Sequence, residues 1–283
     1  MNNTIPDTDT STGIKLKDQK SVKKIMERPL VHVLWTGGYD STLRMLQLSK
    51  QELNIQPYYL IDTRRSEPKE LIAISEIRND IEAHPETRCT VLPLKKFNVS
   101  DIEPDESISQ AYQRLHANHL IGIQLDWLGR FSKLVPGIEI IVEKSLLGHT
   151  YNCIIQNGSV LKVYENHHAY YILDQRHSHP DLVKVFGNFH FPDLLFESTK
   201  LEMIDIYKNL GFEHVMNKTW FCHSPFRGKP CGICIPCKAV MLEGLSFRLT
   251  PEAIKRYHFK NKYGHKKWCQ LLFRIQLKLV NLF

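Results

Sequence analysis

The sequence predicts an α/β fold: an open parallel sheet of Rossmann-like type, carrying a β-hairpin insertion and a C-terminal zinc-binding lobe. Three observations predict it. Short apolar, β-branched runs alternate with amphipathic helical stretches through the first 144 residues. A glycine-rich turn follows the first of those runs. Four cysteines crowd into residues 222 to 237.

The elements follow in order. "LVHVLW" (30–35) reads as a buried strand, and "STLRMLQLSKQEL" (41–53) has apolar residues at helical spacing. "IQPYYLID" (55–62) is a second strand. "PKELIAISEIRNDIEAH" (68–84) is an amphipathic helix with Pro68 in its first turn. "TRCTVLPL" (87–94) reads as a third strand. "SISQAYQRL" and "LIGIQLDWLGRFSKLV" are helical, and Pro136-Gly137 stops the second. "IEIIVEK" (138–144) is a fourth buried strand. Such alternation implies parallel pairing, with ligands at the carboxyl ends of the strands. Residues 150 to 176 alternate like strands, with Asn157-Gly158 as a hairpin turn, and read as a β insertion. Helix resumes over 200–211 and ends at Gly211.

This divides the 283 residues into a flexible polar arm (1–28), an α/β nucleotide-binding domain (29–215), a four-cysteine lobe (216–250) and a basic amphipathic tail (251–283). No run of about 18 apolar residues is present and the N-terminus lacks a signal-peptide pattern, so a cytoplasmic protein is expected. The net charge is +7, and from Lys255 onward eight basic residues stand with no acidic one. The body is therefore neutral, which argues against a nucleic-acid partner. Trp268, Leu271, Leu272, Ile275, Leu279 and Leu282 share one helical face of the tail. Packing on the body competes there with contact to a membrane or a partner.

In "VLWTGGYDST" (33–42), Gly37 and Gly38 let backbone amides approach a ligand, and Ser41 and Thr42 open a helix whose amino end favours an anion. Asp40 suits a Mg²⁺ ion or a helix cap. A strand–turn–helix corner that uses glycine for geometry alone is the competing reading. Cys222, Cys231, Cys234 and Cys237 are separated by eight, two and two residues. Four thiolates suit tetrahedral Zn²⁺, and Gly232 permits the tight turn between two of them. An iron–sulfur cluster competes.

Thr36-Gly37-Gly38-Tyr39-Asp40-Ser41 resembles the Ser-Gly-Gly-x-Asp-Ser loop of the PP-loop ATP pyrophosphatases. Within them, the cysteine spacing is similar to that of the 7-cyano-7-deazaguanine synthases. So are Thr199-Lys200-x-Glu202 and Thr219-Trp220-x-Cys222. Arg64 to Glu70 looks like a shifted form of that family's Gln-Arg-His-x-x-Glu. The resemblance implies ATP, Mg²⁺ and Zn²⁺ as cofactors, with Thr36 to Thr42 holding ATP-Mg²⁺. It makes Asp40, Ser41 and Lys200 the catalytic set, Lys200 reaching the nucleotide phosphates. The implied reaction adenylates a small-molecule carboxylate, 7-carboxy-7-deazaguanine, and lets ammonia displace AMP on the way to the nitrile preQ0. The implied pathway is queuosine biosynthesis. The residues that shape the base pocket in that family are replaced here, "EKSLLGHTYNC" standing after the fourth strand. Another substrate, sulfur transfer to tRNA through Cys153, a base or protein conjugation, or a non-catalytic nucleotide-binding module therefore stay open. So does a homodimer. Glu143 and Lys144 end the fourth strand, where Glu143 could orient a substrate amine. The histidines at 167, 168, 177, 179 and 190 gather near the insertion, where hydrogen-bonding roles compete with a second metal site. His223 could support the zinc ligands.

Overall fold

The computed structural model describes residues 27–142, 144, 148–165 and 168–264. The expected arm up to residue 26, Glu143, His167 and the tail from residue 265, with Cys269 and its apolar stripe, lie outside the described residues.

The first half alternates as the sequence predicts: β1 (Leu30–Leu34), α1 (Tyr39–Ser49), β2 (Asn54–Ile61), α2 (Glu67–Ala83), β3 (Thr90–Val91), β4 (Lys95–Asn98), α3 (Glu106–His119), α4 (Leu125–Leu134) and β5 (Ile138–Glu139). The second half runs α5 (His149–Asn157), β6 (Val160–Glu165), β7 (His168–Leu173), α6 (Pro180–Phe186), β8 (Phe189–Pro192), α7 (Asp193–Glu197), α8 (Glu202–Asn209), α9 (Glu213–Met216), α10 (Ile235–Leu242) and α11 (Pro251–Tyr263). The sheet order is β3-β2-β1-β5-β8-β7-β6, and β4 also pairs with β2. All pairs from β3 to β8 are parallel, while β7 pairs antiparallel with β8 and with β6. The sheet is therefore mixed rather than wholly parallel. Strand order reverses between β1 and β5, which makes the carboxyl ends of those strands the expected ligand crevice.

Period-two alternation splits the core across the sheet. On one face Val33, Trp35 and Ile55 pack with α1, α2, α8 and α9 through Leu43, Leu46, Ile77 and Phe212. On the other, Tyr58 and Leu60 pack with α3, α4 and α6 through Ile108, Phe131 and Phe186. Burying each such side chain stabilises by about 1.5–3 kcal/mol before ordering costs. A third cluster forms around the cysteines, with Val240, Leu245, Leu249 and Ala253.

Three expectations need correction. Asn157-Gly158 is not a hairpin turn: Asn157 ends α5, where its side-chain amide donates to the Cys153 carbonyl at 2.9 Å. The Cys153-Ile154 pair that looked like strand is the buried side of that helix. The stretch 87–94 is strand only at Thr90–Val91 (β3): Pro93 donates no amide and interrupts the ladder on β2, which β4 resumes beyond that stretch at Lys95–Asn98. The fourth strand is paired only at Ile138–Glu139, although the Ile140 amide still bonds the His190 carbonyl at 3.0 Å. The unexpected strand β8 supplies that partner.

Candidate functional site

The glycine turn lies at the carboxyl end of β1, beside the β1–β5 reversal. Gly37 takes φ +67°, and a Cβ there would sit 2.9 Å from the Glu70 carbonyl oxygen. A side chain is excluded by both conformation and space. Gly38 is extended and precedes α1 without a side-chain cap, so the first amides of α1 have no intrahelical acceptor and face the opening. The Ser41 and Thr36 hydroxyls are 3.3 Å apart at this opening. The Thr42 hydroxyl points the other way, accepting from the buried Trp35 indole at 3.1 Å. It fixes the turn to the core instead of presenting itself to a ligand. Tyr39 lies buried under the turn, edge-on to Tyr207 at 6.0 Å, with the Arg248 guanidinium 4.7 Å from its ring.

Lys200 forms an ion pair with Asp40. Its position follows from local chemistry. Glu202 accepts from the Thr199 amide at 2.7 Å and from the Thr199 hydroxyl at 2.8 Å, ordering the turn that carries Lys200 into α8. The Trp220 amide donates to the Gly37 carbonyl at 2.9 Å, and its indole donates to the Cys222 carbonyl at 2.8 Å. The Thr-Trp-x-Cys segment thus joins the glycine turn to the cysteine lobe.

Two cavities meet at the turn, sharing Thr36, Gly38, Asp40, Gln124 and Ile235. The first, about 390 Å³, is rich in charge, with Arg64, Glu70, Lys200, His223 and Arg248 on its walls. Arg64 bonds Glu70 at 3.0 Å and Asp62 at 3.2 Å, and the Tyr59 hydroxyl donates to Glu70 at 2.8 Å. Burial opposes the Arg64 charge, but the neighbouring carboxylates outweigh it and hold its pKa above the ordinary value. Burial pushes His223 below the usual histidine range and lowers Arg248. Arg248 donates to the Thr219 hydroxyl at 2.6 Å and lies 4.6 Å from the Phe221 ring. Arg248 gave no signal in the sequence, because its partners are 27 or more residues away. The second cavity, about 640 Å³, sets aliphatic side chains such as Leu125, Leu128 and Ile140 beside polar ones, among them Gln124, His149 and Thr150.

The four cysteine sulfurs all lie within 4.8 Å of one another, and two of the pairs are 3.9 Å apart. The edge of a tetrahedron with metal–sulfur bonds of about 2.3 Å is about 3.8 Å, so the set can hold a metal ion such as zinc. Gly232 takes φ +78°, and a Cβ there would meet the Ala253 carbonyl oxygen at 2.0 Å. The amides of Ile233 and Cys234 donate to the Cys231 sulfur at 3.4 and 3.3 Å, as a bent knuckle around a thiolate allows. Arg256 on α11 ties the knuckle down through the Cys231 and Pro230 carbonyls.

Arg44 of α1 and Glu139 of β5 form a buried two-fold contact at 2.7 and 2.6 Å. Sequence reading missed it, since Arg44 looks like any helix arginine. Cys153 is fully buried, and burial pushes its thiol up to about 11. Among the histidines, His177 pairs with Asp174 at 2.7 Å, His179 caps α6, and His190 stacks on Tyr170 with ring centroids 3.9 Å apart. His168 also lies by Tyr170, at 5.3 Å. Lys144 lines a further groove shared with Lys200. Among the described residues no helix is long and apolar enough to cross a membrane.

No family model matches the chain, and no curated protein matches it.

Proposed function

We propose that the chain is an ATP-dependent ligase of the PP-loop type, which activates a carboxylate by adenylation and releases pyrophosphate. One observation carries the reading. The Gly-Gly-x-Asp-Ser turn stands at the strand-order reversal, with Lys200 brought to Asp40 from far along the chain. In this reading the α1 amides, Thr36 and Ser41 hold the β,γ-phosphates, Lys200 neutralises them, and Asp40 binds Mg²⁺. The charged cavity with Arg64 and Arg248 takes the nucleotide. A carboxylate oxygen attacks the α-phosphorus, the bond to the β-phosphate breaks, and pyrophosphate leaves. Ammonia then attacks the acyl carbon and AMP departs, giving an amide. A second adenylation, on the amide oxygen, and loss of AMP would give a nitrile.

The cysteine set is read as a structural zinc site, since its sulfurs are mostly buried and their amide bonds suit thiolates. The buried, high-pKa thiol of Cys153 does not support sulfur transfer. The test is incubation with ATP, Mg²⁺, ammonium and 7-carboxy-7-deazaguanine, with separate assays for AMP and for preQ0. AMP together with preQ0 supports the whole reading. AMP formed with a different acid moves the substrate and keeps the chemistry. No AMP with any acid removes both.

A further inference from the structure

The cavity on the far side of the glycine turn is built unlike the nucleotide side. It lies between the ends of β1 and β5, against α4 and the start of α5, with a volume of about 640 Å³. That is a small-molecule size, and such sites combine apolar walls with a few polar groups. Its walls include Leu125, Leu128, Ile140 and Val142, each of them largely buried. The hydroxyls of Thr36 and Ser41 lie at the end shared with the turn.

The mouth supplies an independent observation. Leu120, which follows α3, takes the left-handed conformation at φ +53°. Glycine or asparagine holds that conformation with less strain, so leucine is a poor choice for the backbone alone. Its side chain is also 66% exposed while lining this cavity. Ile235, which lines both cavities, is 77% exposed. Stability favours neither residue in water. A rule broken locally with no structural gain points to a bound apolar group.

The geometry points to an apolar carboxylic acid, aryl or branched aliphatic, as the acceptor at this site. Its hydrocarbon body fills the cavity under Leu120, with its carboxylate directed toward the glycine turn. The inference rests on the adenylating reading of the turn but concerns a different set of residues.

The probe is 1-naphthoate, followed by its fluorescence on titration with the full chain, with orotate as the polar comparator. Leu120→Asn keeps a residue that tolerates positive φ. It should leave the melting temperature unchanged or raise it by up to about 4 °C. It should weaken naphthoate binding tenfold or more. Ile235→Ala is the second variant and should weaken it in the same direction. Unchanged naphthoate affinity in Leu120→Asn overturns the inference. So does tighter binding of orotate than of naphthoate, or a change of mass in light scattering showing that a second copy covers Leu120. AMP formation on polar acids without naphthoate binding overturns this inference alone. Leu120-dependent naphthoate binding without AMP from ATP keeps the apolar site and removes the adenylation reading.

Discussion

Lys200 and Asp40, 160 residues apart in the chain, form an ion pair at the open end of the glycine turn. The pair unites a helix start in the second half with the first strand–helix corner. If Lys200 neutralises the departing pyrophosphate, Lys200→Ala should lower kcat for pyrophosphate release by about 10²–10³-fold, the usual loss of one preorganised electrostatic partner. Steady-state kinetics with saturating ATP check this. An unchanged kcat would make the pair structural only.

Gly232 meets Ala253 so closely that no side chain fits. Gly232→Ala should destabilise the cysteine lobe by roughly 3 kcal/mol, through strain and displacement of α11. Metal analysis should then find the zinc content well below one per chain, and removing zinc from the wild type by chelation should mimic the variant. Visible absorption from iron would instead favour a cluster.

Arg44 and Glu139 are each almost fully buried, with side chains 4% and 1% exposed. Replacing one partner strands the other charge. Arg44→Met should cost about 3–5 kcal/mol in urea unfolding, and Arg44→Met with Glu139→Met should recover most of it. Equal losses in the single and double variants would mean that packing rather than charge holds the contact.

His190 is half-buried and stacks on Tyr170, near Glu139, Glu165, His168 and His32. Burial lowers its pKa, and the nearby carboxylates oppose that only in part. The folded chain therefore binds this proton more weakly than the unfolded chain. The contribution of His190 to stability is present above about pH 6.5 and falls as pH drops through that value. His190→Phe should flatten the fall in stability below about pH 6.5, measured by denaturant midpoints at each pH.

What the sequence revealed was mostly local. β1, the glycine turn and α1 are one continuous stretch whose pattern, conformation and chemistry agree. The cysteine set is equally compact, and Gly232 sits where spacing placed the tight turn. The misreadings came from competition that spacing does not record. "YNCIIQN" has apolar residues that suit a strand, but Cys153 and Ile154 bury one side of a helix. "FHFP" is too short and too proline-bound to stand out, yet β8 completes the parallel part of the sheet. Arg44–Glu139 and Arg248–Thr219 are long-range pairs, visible only once the strands are ordered. Thr42 has the residue type of a phosphate ligand, but its hydroxyl is committed to Trp35.

In the proposed reaction the turn directs attack to the α-phosphorus of ATP. The most direct measurement identifies the products formed from ATP by the wild type and by Asp40→Ala, in the presence of Mg²⁺, ammonium and a panel of polar and apolar carboxylic acids. Adenylation at the turn gives AMP and pyrophosphate, dependent on one acid class and abolished in Asp40→Ala while the metal content of the cysteine site is unchanged. ADP and phosphate, or AMP formation that survives Asp40→Ala, would contradict it.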